Sequence, residues 1–300
     1  MLVLVSGAVL SAVEPRFLTA SNLVAVGNGM IYDLPTAAGM TLVLVLGGID
    51  LSVGSVVGLT AVVTTMLLRS GVPTALAVPL GFATAALVGV VNGLLVARLR
   101  LAPFIVTLGT MSIARGTATV LTSGYFLSGL PSSYVAIGRS HLLGIPLPLI
   151  IVALILAAAH ALLARWKPLH DAFYAGCNPA AAYLSGINVR RLVFGGYVAS
   201  ALLAGVSALF MTSRLGMGYA RFGDMAELRA IAAAVLGGAS FGGGTGSIVG
   251  SVLGVVLLAI ILNGFVLLNA SVYWQGVVSG AVLVVAVAVD AVRRRAYESR

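Results

Sequence analysis

Residues 246–268 read GSIVGSVLGVVLLAIILNGFVLL and contain no charged side chain. A helix of this length extends about 34 Å, which exceeds the ~30 Å hydrocarbon core of a bilayer. The whole chain has the same character, with 8% charged residues, 60% hydrophobic residues and a mean hydropathy of +1.12. A soluble domain carries about 25% charged residues. The composition therefore indicates an integral membrane protein and excludes a soluble enzyme, a disordered chain and a nucleic-acid-binding protein.

Apolar runs separated by charged, proline or glycine residues divide the chain into about ten segments. Their approximate bounds are 1–13, 22–46, 52–68, 74–97, 102–122, 146–164, 192–212, 226–241, 246–268 and 271–290. Ten spans of about 20 residues would use roughly two thirds of the chain and leave no separate soluble domain. We predict an all-α integral membrane protein with about ten transmembrane helices and a single transmembrane domain over residues 1–300.

The distribution of basic residues predicts the orientation in the membrane, because cytoplasmic loops are enriched in Lys and Arg. With the N-terminus inside, the cytoplasmic loops hold ten of the 17 basic residues and the opposite loops hold six. The eighth segment is short and interrupted by glycine, but the basic cluster at 293–295 would lie outside if this segment did not cross. We therefore expect it to span, with both termini in the cytoplasm.

The sequence shows no pattern typical of catalysis or metal binding. It has one cysteine, Cys177, and three widely separated histidines. The glycine-rich run at 237–246 lacks the Gly-Lys-Ser/Thr ending of a nucleotide-binding loop. We expect no enzyme activity, no metal and no cofactor in this chain. If ATP drives its function, ATP and magnesium bind to another subunit.

Three charged residues fall within or between apolar segments, and an intramembrane charge is a functional candidate by default. Asp50 has a structural alternative, because it precedes Ser52 and the next helix and an acidic residue suits a helix N-terminus. Arg115 has three possible roles: it pairs with Asp33, binds a carbonyl of a broken helix, or extends to the outer interface.

Four motifs resemble one family of permeases when read in chain order. They are GGIDLSVG at 47–54, APFIVTLGT at 102–110, GCNPAAAYLSGI at 176–187 and IAAAVLGGASFGGGTG at 231–246. Together they resemble the permeases of ABC importers for monosaccharides of the ribose, xylose and galactose type. The first motif supplies the family-motif residues Gly47, Gly48, Asp50, Leu51, Ser52 and Gly54. Cys177 and Ala239 stand where glycine and threonine are common in the family.

The resemblance implies a permease of the bacterial cytoplasmic (inner) membrane with the fold of the cobalamin-type (type II) importers. It would translocate a monosaccharide or similar small polyol. The implied partners are a second permease copy or a paralogue, a cytoplasmic ABC ATPase, an extracytoplasmic sugar-binding protein and the lipid bilayer, without nucleic acid.

The most polar and basic loop on the expected cytoplasmic side covers about 165–191. Within it, Asn178 is a plausible N-cap, Pro179 a first helical residue and Gly186 a helix terminator. We interpret this short helix as the contact to the ATPase, and an ordinary surface helix is the alternative. The candidate coupling residues are Asn178, Ala181, Ala182, Ser185, Gly186 and Ile187.

The resemblance also places the fifth segment and the last spans around the translocation path. The candidate path residues are Phe104, Thr107, Thr110, Met111, Asn263 and Tyr273. Three alternatives stay open for the chain as a whole. They are a branched-chain amino acid ABC permease, a stand-alone facilitator or secondary transporter, and, least supported, a membrane enzyme.

Overall fold

The computed structural model describes residues 2–271 and 274–298, which form an α-helical protein with four two-residue strands. The helices are α1 Leu2–Val13, a 3-10 turn Pro15–Leu18, α2 Ala20–Val45, α3 Val53–Arg69, α4 Thr74–Ala97, α5 Pro103–Thr122, α6 Ser132–Arg139, α7 Leu147–Arg165, α8 Lys167–Cys177, α9 Pro179–Leu184, α10 Val189–Leu215, α11 Ala226–Leu236, α12 Ile248–Leu267 and α13 Trp274–Glu298. The strands are β1 Leu127–Ser128, β2 His141–Leu142, β3 Ile145–Pro146 and β4 Met217–Gly218.

Each of the ten apolar segments contains a helix within the described residues, which confirms the predicted fold class. The structure adds α6 and α8, which sequence periodicity did not reveal, and ends α11 at Leu236 rather than near 241. With 11 residues, α11 extends about 16 Å, which is shorter than the ~30 Å core, so the expectation that the eighth segment spans is not confirmed. Within the described residues, five helices are long and apolar enough to cross a membrane, namely α4, α5, α7, α10 and α12. The chain is therefore a multi-pass membrane protein.

Two central helices, α2 and α3, are surrounded largely by protein. Most residues of α3 and of the second half of α2 are buried, and both helices pack against α10. Glycines permit this close approach: a methyl group at Gly89 of α4 would lie 2.8 Å from the Ala201 Cβ of α10. In contrast, only 22% of the most apolar 18-residue stretch of α7 is buried, and side chains such as Leu154 are exposed. This exposure suits a helix that faces lipid.

The segment 216–225 leads from α10 to the short helix α11 and lies against α3 and α5. It begins at Gly216, whose φ of 72° ends α10, and β4 then pairs antiparallel with β1. The Arg115 guanidinium of α5 donates to the Ala220 and Phe222 carbonyls at 2.5 and 3.0 Å. Since Gly58 of α3 lacks a side chain, the same segment can approach the helix backbone.

The loop 237–247 packs at the end of α2 that adjoins α8. The Gly244 N–H donates to the Val45 carbonyl at 2.8 Å, and Gly243 and Gly244 adjoin the backbone of Gly176 and Cys177. This glycine-rich loop therefore joins the central helices to the α8–α9 region.

Candidate transport and coupling sites

The junction between α2 and α3 begins with a tight helix terminator. Gly47 has a φ of 77°, its N–H donates to the Leu44 carbonyl at 2.8 Å, and the Gly48 N–H donates to the Val43 carbonyl at 2.9 Å. These two bonds form a Schellman motif, which a left-handed glycine makes possible. A side chain at Gly48 would collide with Tyr197 of α10, so the junction lies directly against that helix.

A completely buried carboxylate organises the rest of the junction. Asp50 accepts hydrogen bonds from the Ser52 N–H at 3.0 Å, from the Ser52 hydroxyl at 2.6 Å and from the Ser200 hydroxyl at 2.9 Å. The Asn92 amide donates to the Ser52 hydroxyl at 2.8 Å. Asp50 therefore connects the start of α3 to α4 and α10. Asp50 binds Ser52, the residue that precedes α3, and not the N–H groups of the first turn. It therefore lies at the helix start without capping the helix in the expected way.

The other residues of the GGIDLSVG motif also serve packing. Leu51 lies in the apolar core, and Gly54 touches the Gly223 carbonyl. The Ile49 carbonyl accepts hydrogen bonds from the Thr107 hydroxyl at 3.3 Å and from the Tyr197 hydroxyl at 3.4 Å. The junction thus contacts α4, α5, α10 and the 216–225 segment at once.

Arg115 and Asp33, the two charged residues that could have paired with each other, have different partners in the structure. Arg115 binds backbone carbonyls, as one alternative predicted, and its guanidinium also lies 3.0 Å from Asp224. Asp33 instead pairs with Arg229 of α11 at 3.0 Å. The expected pair between Arg115 and Asp33 is therefore wrong, because α11 places its own arginine against α2.

The α8–α9 region has the local geometry that the sequence predicted. The Asn178 side chain accepts hydrogen bonds from the Ala180 and Ala181 N–H groups, both at 3.1 Å, and Pro179 begins α9. The Gly186 N–H donates to the Tyr183 carbonyl, and the Ile187 N–H donates to the Ala182 carbonyl, each at 3.0 Å. The N-cap and the glycine terminator are confirmed, and together they fix the ends of this short helix.

A groove of about 540 Å³ lies between α8 and α9. All six candidate coupling residues line it: Asn178, Ala181, Ala182, Ser185, Gly186 and Ile187. The α8 wall, which sequence reasoning missed, contributes Lys167, Asp171 and Tyr174. Beside the groove, Tyr183 and Leu184 are 73% and 85% exposed. Large apolar side chains that protrude next to a groove are typical of a surface that binds another protein.

The end of α8 is fixed to the membrane domain through Gly176. A side chain at this position would collide with the Val45 carbonyl and with the Gly244 backbone. Gly176 is fully buried, whereas α9 a few residues later is largely exposed. The groove is therefore packed directly against the end of α2 and the loop before α12.

The candidate path residues are distributed over separate parts of the structure. On α5, Phe104 is 52% exposed, Thr110 and Met111 are partly buried, and Thr107 is fully buried against the Ile49 carbonyl. Asn263 of α12 exchanges amide hydrogen bonds with Asn22 at 2.8 and 3.0 Å, at the start of α2. Tyr273 lies outside the described residues.

Comparison with known proteins identifies the family. Residues 26–287 match the family described as "Branched-chain amino acid transport system / permease component". The chain belongs to this permease family. Among its relatives, Ribose import permease protein RbsC of Bacillus subtilis is 38% identical over 284 residues, which cover 94% of this chain and 88% of the relative. No solved structure matches the chain.

Two further relatives are named for other substrates. D-allose transport system permease protein AlsC of Escherichia coli is 32% identical, with 94% of this chain and 87% of the relative covered. Autoinducer 2 import system permease protein LsrC of Enterobacter sp. is 33% identical, with 96% and 84% covered. The permease therefore resembles these import permeases over almost its entire length.

Proposed function

We propose that this chain is the transmembrane permease subunit of an ATP-driven ABC importer for a monosaccharide or similar small polyol. The observation that carries the proposal is the end-to-end similarity to permeases named for ribose and D-allose import. The description of the matched family mentions branched-chain amino acids. The relatives whose names contain ribose or D-allose, however, each align with 94% of this chain. Sugar transport is therefore the better-supported alternative.

The α8–α9 groove is the proposed seat of the cytoplasmic ATPase. Its small residues leave room for a partner, while Tyr183 and Leu184 provide exposed apolar contacts. The glycine-rich loop 237–247 of this chain donates a backbone N–H to Val45 and packs on Gly176. Since its backbone takes part in internal packing, nucleotide and magnesium are assigned to the partner subunit.

The proposal also covers the membrane orientation and the other parts of the assembly. The permease domain comprises residues 1–300, lies in the bacterial inner membrane and has both termini in the cytoplasm. A second copy or a paralogue completes the pore, and an extracytoplasmic binding protein delivers the sugar. Phe104, Thr107, Thr110, Met111, Asn263 and Tyr273 remain proposed path residues, with Thr107 reachable only if the α2–α3 junction moves.

Reconstitution tests the proposed function. The permease, its ATPase and its binding protein are placed in proteoliposomes, and uptake of radiolabelled D-ribose, D-allose and leucine is measured with and without ATP. ATP-dependent uptake of a sugar, but not of leucine, is expected. Sugar uptake by the permease alone, without ATP, would establish a facilitator. ATP-driven uptake of leucine in place of a sugar would establish the amino acid alternative.

A further inference from the structure

A small cavity lies among α2, α3, α10 and α11, away from the groove that binds the ATPase in our proposal. Its volume is about 70 Å³, and Tyr32, Asp33, Thr36, Ser207, Met211 and Arg229 contribute to its walls. Asp33 and Arg229 form an ion pair in this wall, with 26% and 25% of their side chains exposed. Because a charged pair within a membrane domain is costly, its presence suggests a function.

The cavity lies halfway along α2. Asp33 is the fourteenth of the 26 residues of this helix, about 20 Å from its start. Pro35 follows two residues later and has no N–H to donate within the helix. Across the cavity, α11 begins at Ala226 as a helix of only 11 residues. A proline-containing helix that faces the start of a short helix near the middle of the membrane is similar to the discontinuous helices at which many transporters bind their solute.

The ion pair retains unused hydrogen-bonding groups. The Arg229 Nε donates to Asp33 Oδ1 at 3.0 Å, and the Arg229 Nη1 donates to the Asp224 carbonyl at 3.3 Å. Within residues 2–271 and 274–298, Asp33 Oδ2 and Arg229 Nη2 have no hydrogen-bond partner. A carboxylate oxygen beside a guanidinium N–H provides an acceptor and a donor, which suits two neighbouring hydroxyl groups.

The threonine and the serine of the cavity wall donate their hydroxyl hydrogens to the backbone. Thr36 donates to the Asp33 carbonyl at 2.9 Å, and Ser207 donates to the Tyr32 carbonyl at 2.8 Å. These bonds occupy both hydroxyl groups, and the Ser207 bond joins α10 to α2 at the wall of the cavity. Among Asp33, Thr36, Ser207 and Arg229, the ion pair therefore keeps the free polar atoms.

We infer that Asp33 and Arg229 form a subsite that binds hydroxyl groups of the transported sugar inside each permease chain. A volume of about 70 Å³ corresponds to roughly two water molecules, so this conformation accommodates the hydroxyl-bearing edge of a sugar and not the whole ring. The inference rests on the proposed function. It adds a binding site on α2 and α11 to the path residues expected on α5 and α12.

The test measures sugar binding to the purified permease–ATPase complex in nanodiscs, without the binding protein. Saturation-transfer NMR with D-ribose and D-allose gives the apparent Kd. Arg229→Lys keeps the positive charge but removes the planar donor array, and Asp33→Asn removes the carboxylate. We expect each change to weaken binding about tenfold or more, since hydrogen bonds to charged groups are lost.

Arg221→Lys is the matched control, because Arg221 also pairs with an aspartate, Asp224, but is 69% exposed and outside the cavity. Its Kd should equal that of the unmodified complex. If gel filtration shows that Asp33→Asn does not fold, the Kd of the Arg229→Lys variant alone tests the subsite. Unchanged Kd values in the folded cavity variants would overturn the subsite while ATP-driven sugar uptake continued to support the proposed function. Absence of sugar uptake by the unmodified assembly would instead refute the proposed function, and the subsite with it.

Discussion

The α2–α3 junction and the α8–α9 region are both short connections whose helices end at a left-handed glycine, yet their side chains are used in opposite ways. In the junction, Asp50 is fully buried and binds Ser52 and Ser200 of the same chain. In the α8–α9 region, Tyr183 and Leu184 project into the surroundings. The first region is satisfied by internal contacts, whereas the second presents contacts that only another molecule can use.

This difference separates structural residues from the proposed coupling residues within two motifs of the same family resemblance. Substitutions in the junction should change the free energy of unfolding. Substitutions on the exposed face of α9 should leave folding unchanged and affect partner binding. Gly176 lies between these cases, because it fixes the exposed region to the core.

The largest effect on stability is expected for Asp50→Ala. The change leaves the hydroxyls of Ser52 and Ser200 buried without their acceptor, and we expect a loss of about 3 kcal/mol in the free energy of unfolding. Denaturant unfolding in mixed micelles measures it. Asp171→Ala, in the wall of the α8–α9 groove, is the control and should change stability little. Equal stability of the two variants would contradict the structural role of Asp50.

Gly176→Val should reduce the free energy of unfolding by about 2 kcal/mol, because the added side chain overlaps the Val45 carbonyl and forces α8 away from α2. The same unfolding assay applies. Gly195→Val in α10 is the matched control, since a Cβ at Gly195 meets no atom within 4 Å. A Gly176 variant as stable as the Gly195 variant would show that α8 is not fixed at this point.

Asn178→Ala should reduce the stability of helix α9 by about 1 kcal/mol, because it removes the acceptor for the Ala180 and Ala181 N–H groups. Hydrogen exchange of the α9 amides should become faster, while exchange in the core helices stays unchanged. Asn178→Asp retains a capping oxygen and should preserve protection. Loss of protection in both variants would mean that the cap does not stabilise α9.

Sequence reasoning was most successful where local chemistry determines the structure. The predicted segment 74–97 coincides with α4, and Asn178, Pro179 and Gly186 occupy the predicted positions in α9. Each of these features depends on residues within one helix or its ends. The capping role expected for Asp50 was only partly right, because Asp50 lies at the helix start but binds Ser52 and Ser200 and not the N–H groups of the first turn.

The partners of the buried polar residues were not predictable in the same way. Asp50 meets Ser200, which is 150 residues away, and Asp33 meets Arg229 at a separation of 196 residues. Such pairs depend on how helices pack, and no local pattern specifies them. The α8 wall was also missed, because this helix has a mixed sequence within a loop that was recognised chiefly by its polarity.

The smallest effect on stability is expected for Leu184→Asp. Leu184 is 85% exposed, so its replacement should change the free energy of unfolding by less than about 0.5 kcal/mol. Leu143→Ser, which alters a 95% exposed leucine between β2 and β3, is the control on a different surface. A clear loss of stability in Leu184→Asp alone would show that α9 has internal contacts that its exposure conceals.

The affinity between the permease and its ATPase tests the central claim most directly. The Kd is measured with the purified ATPase and the permease in nanodiscs, for the unmodified chain and for the Leu184→Asp and Leu143→Ser variants. Our account predicts that Leu184→Asp weakens binding about tenfold or more, while Leu143→Ser binds like the unmodified permease. Equal affinities for all three proteins would contradict the assignment of the α8–α9 surface to the ATPase.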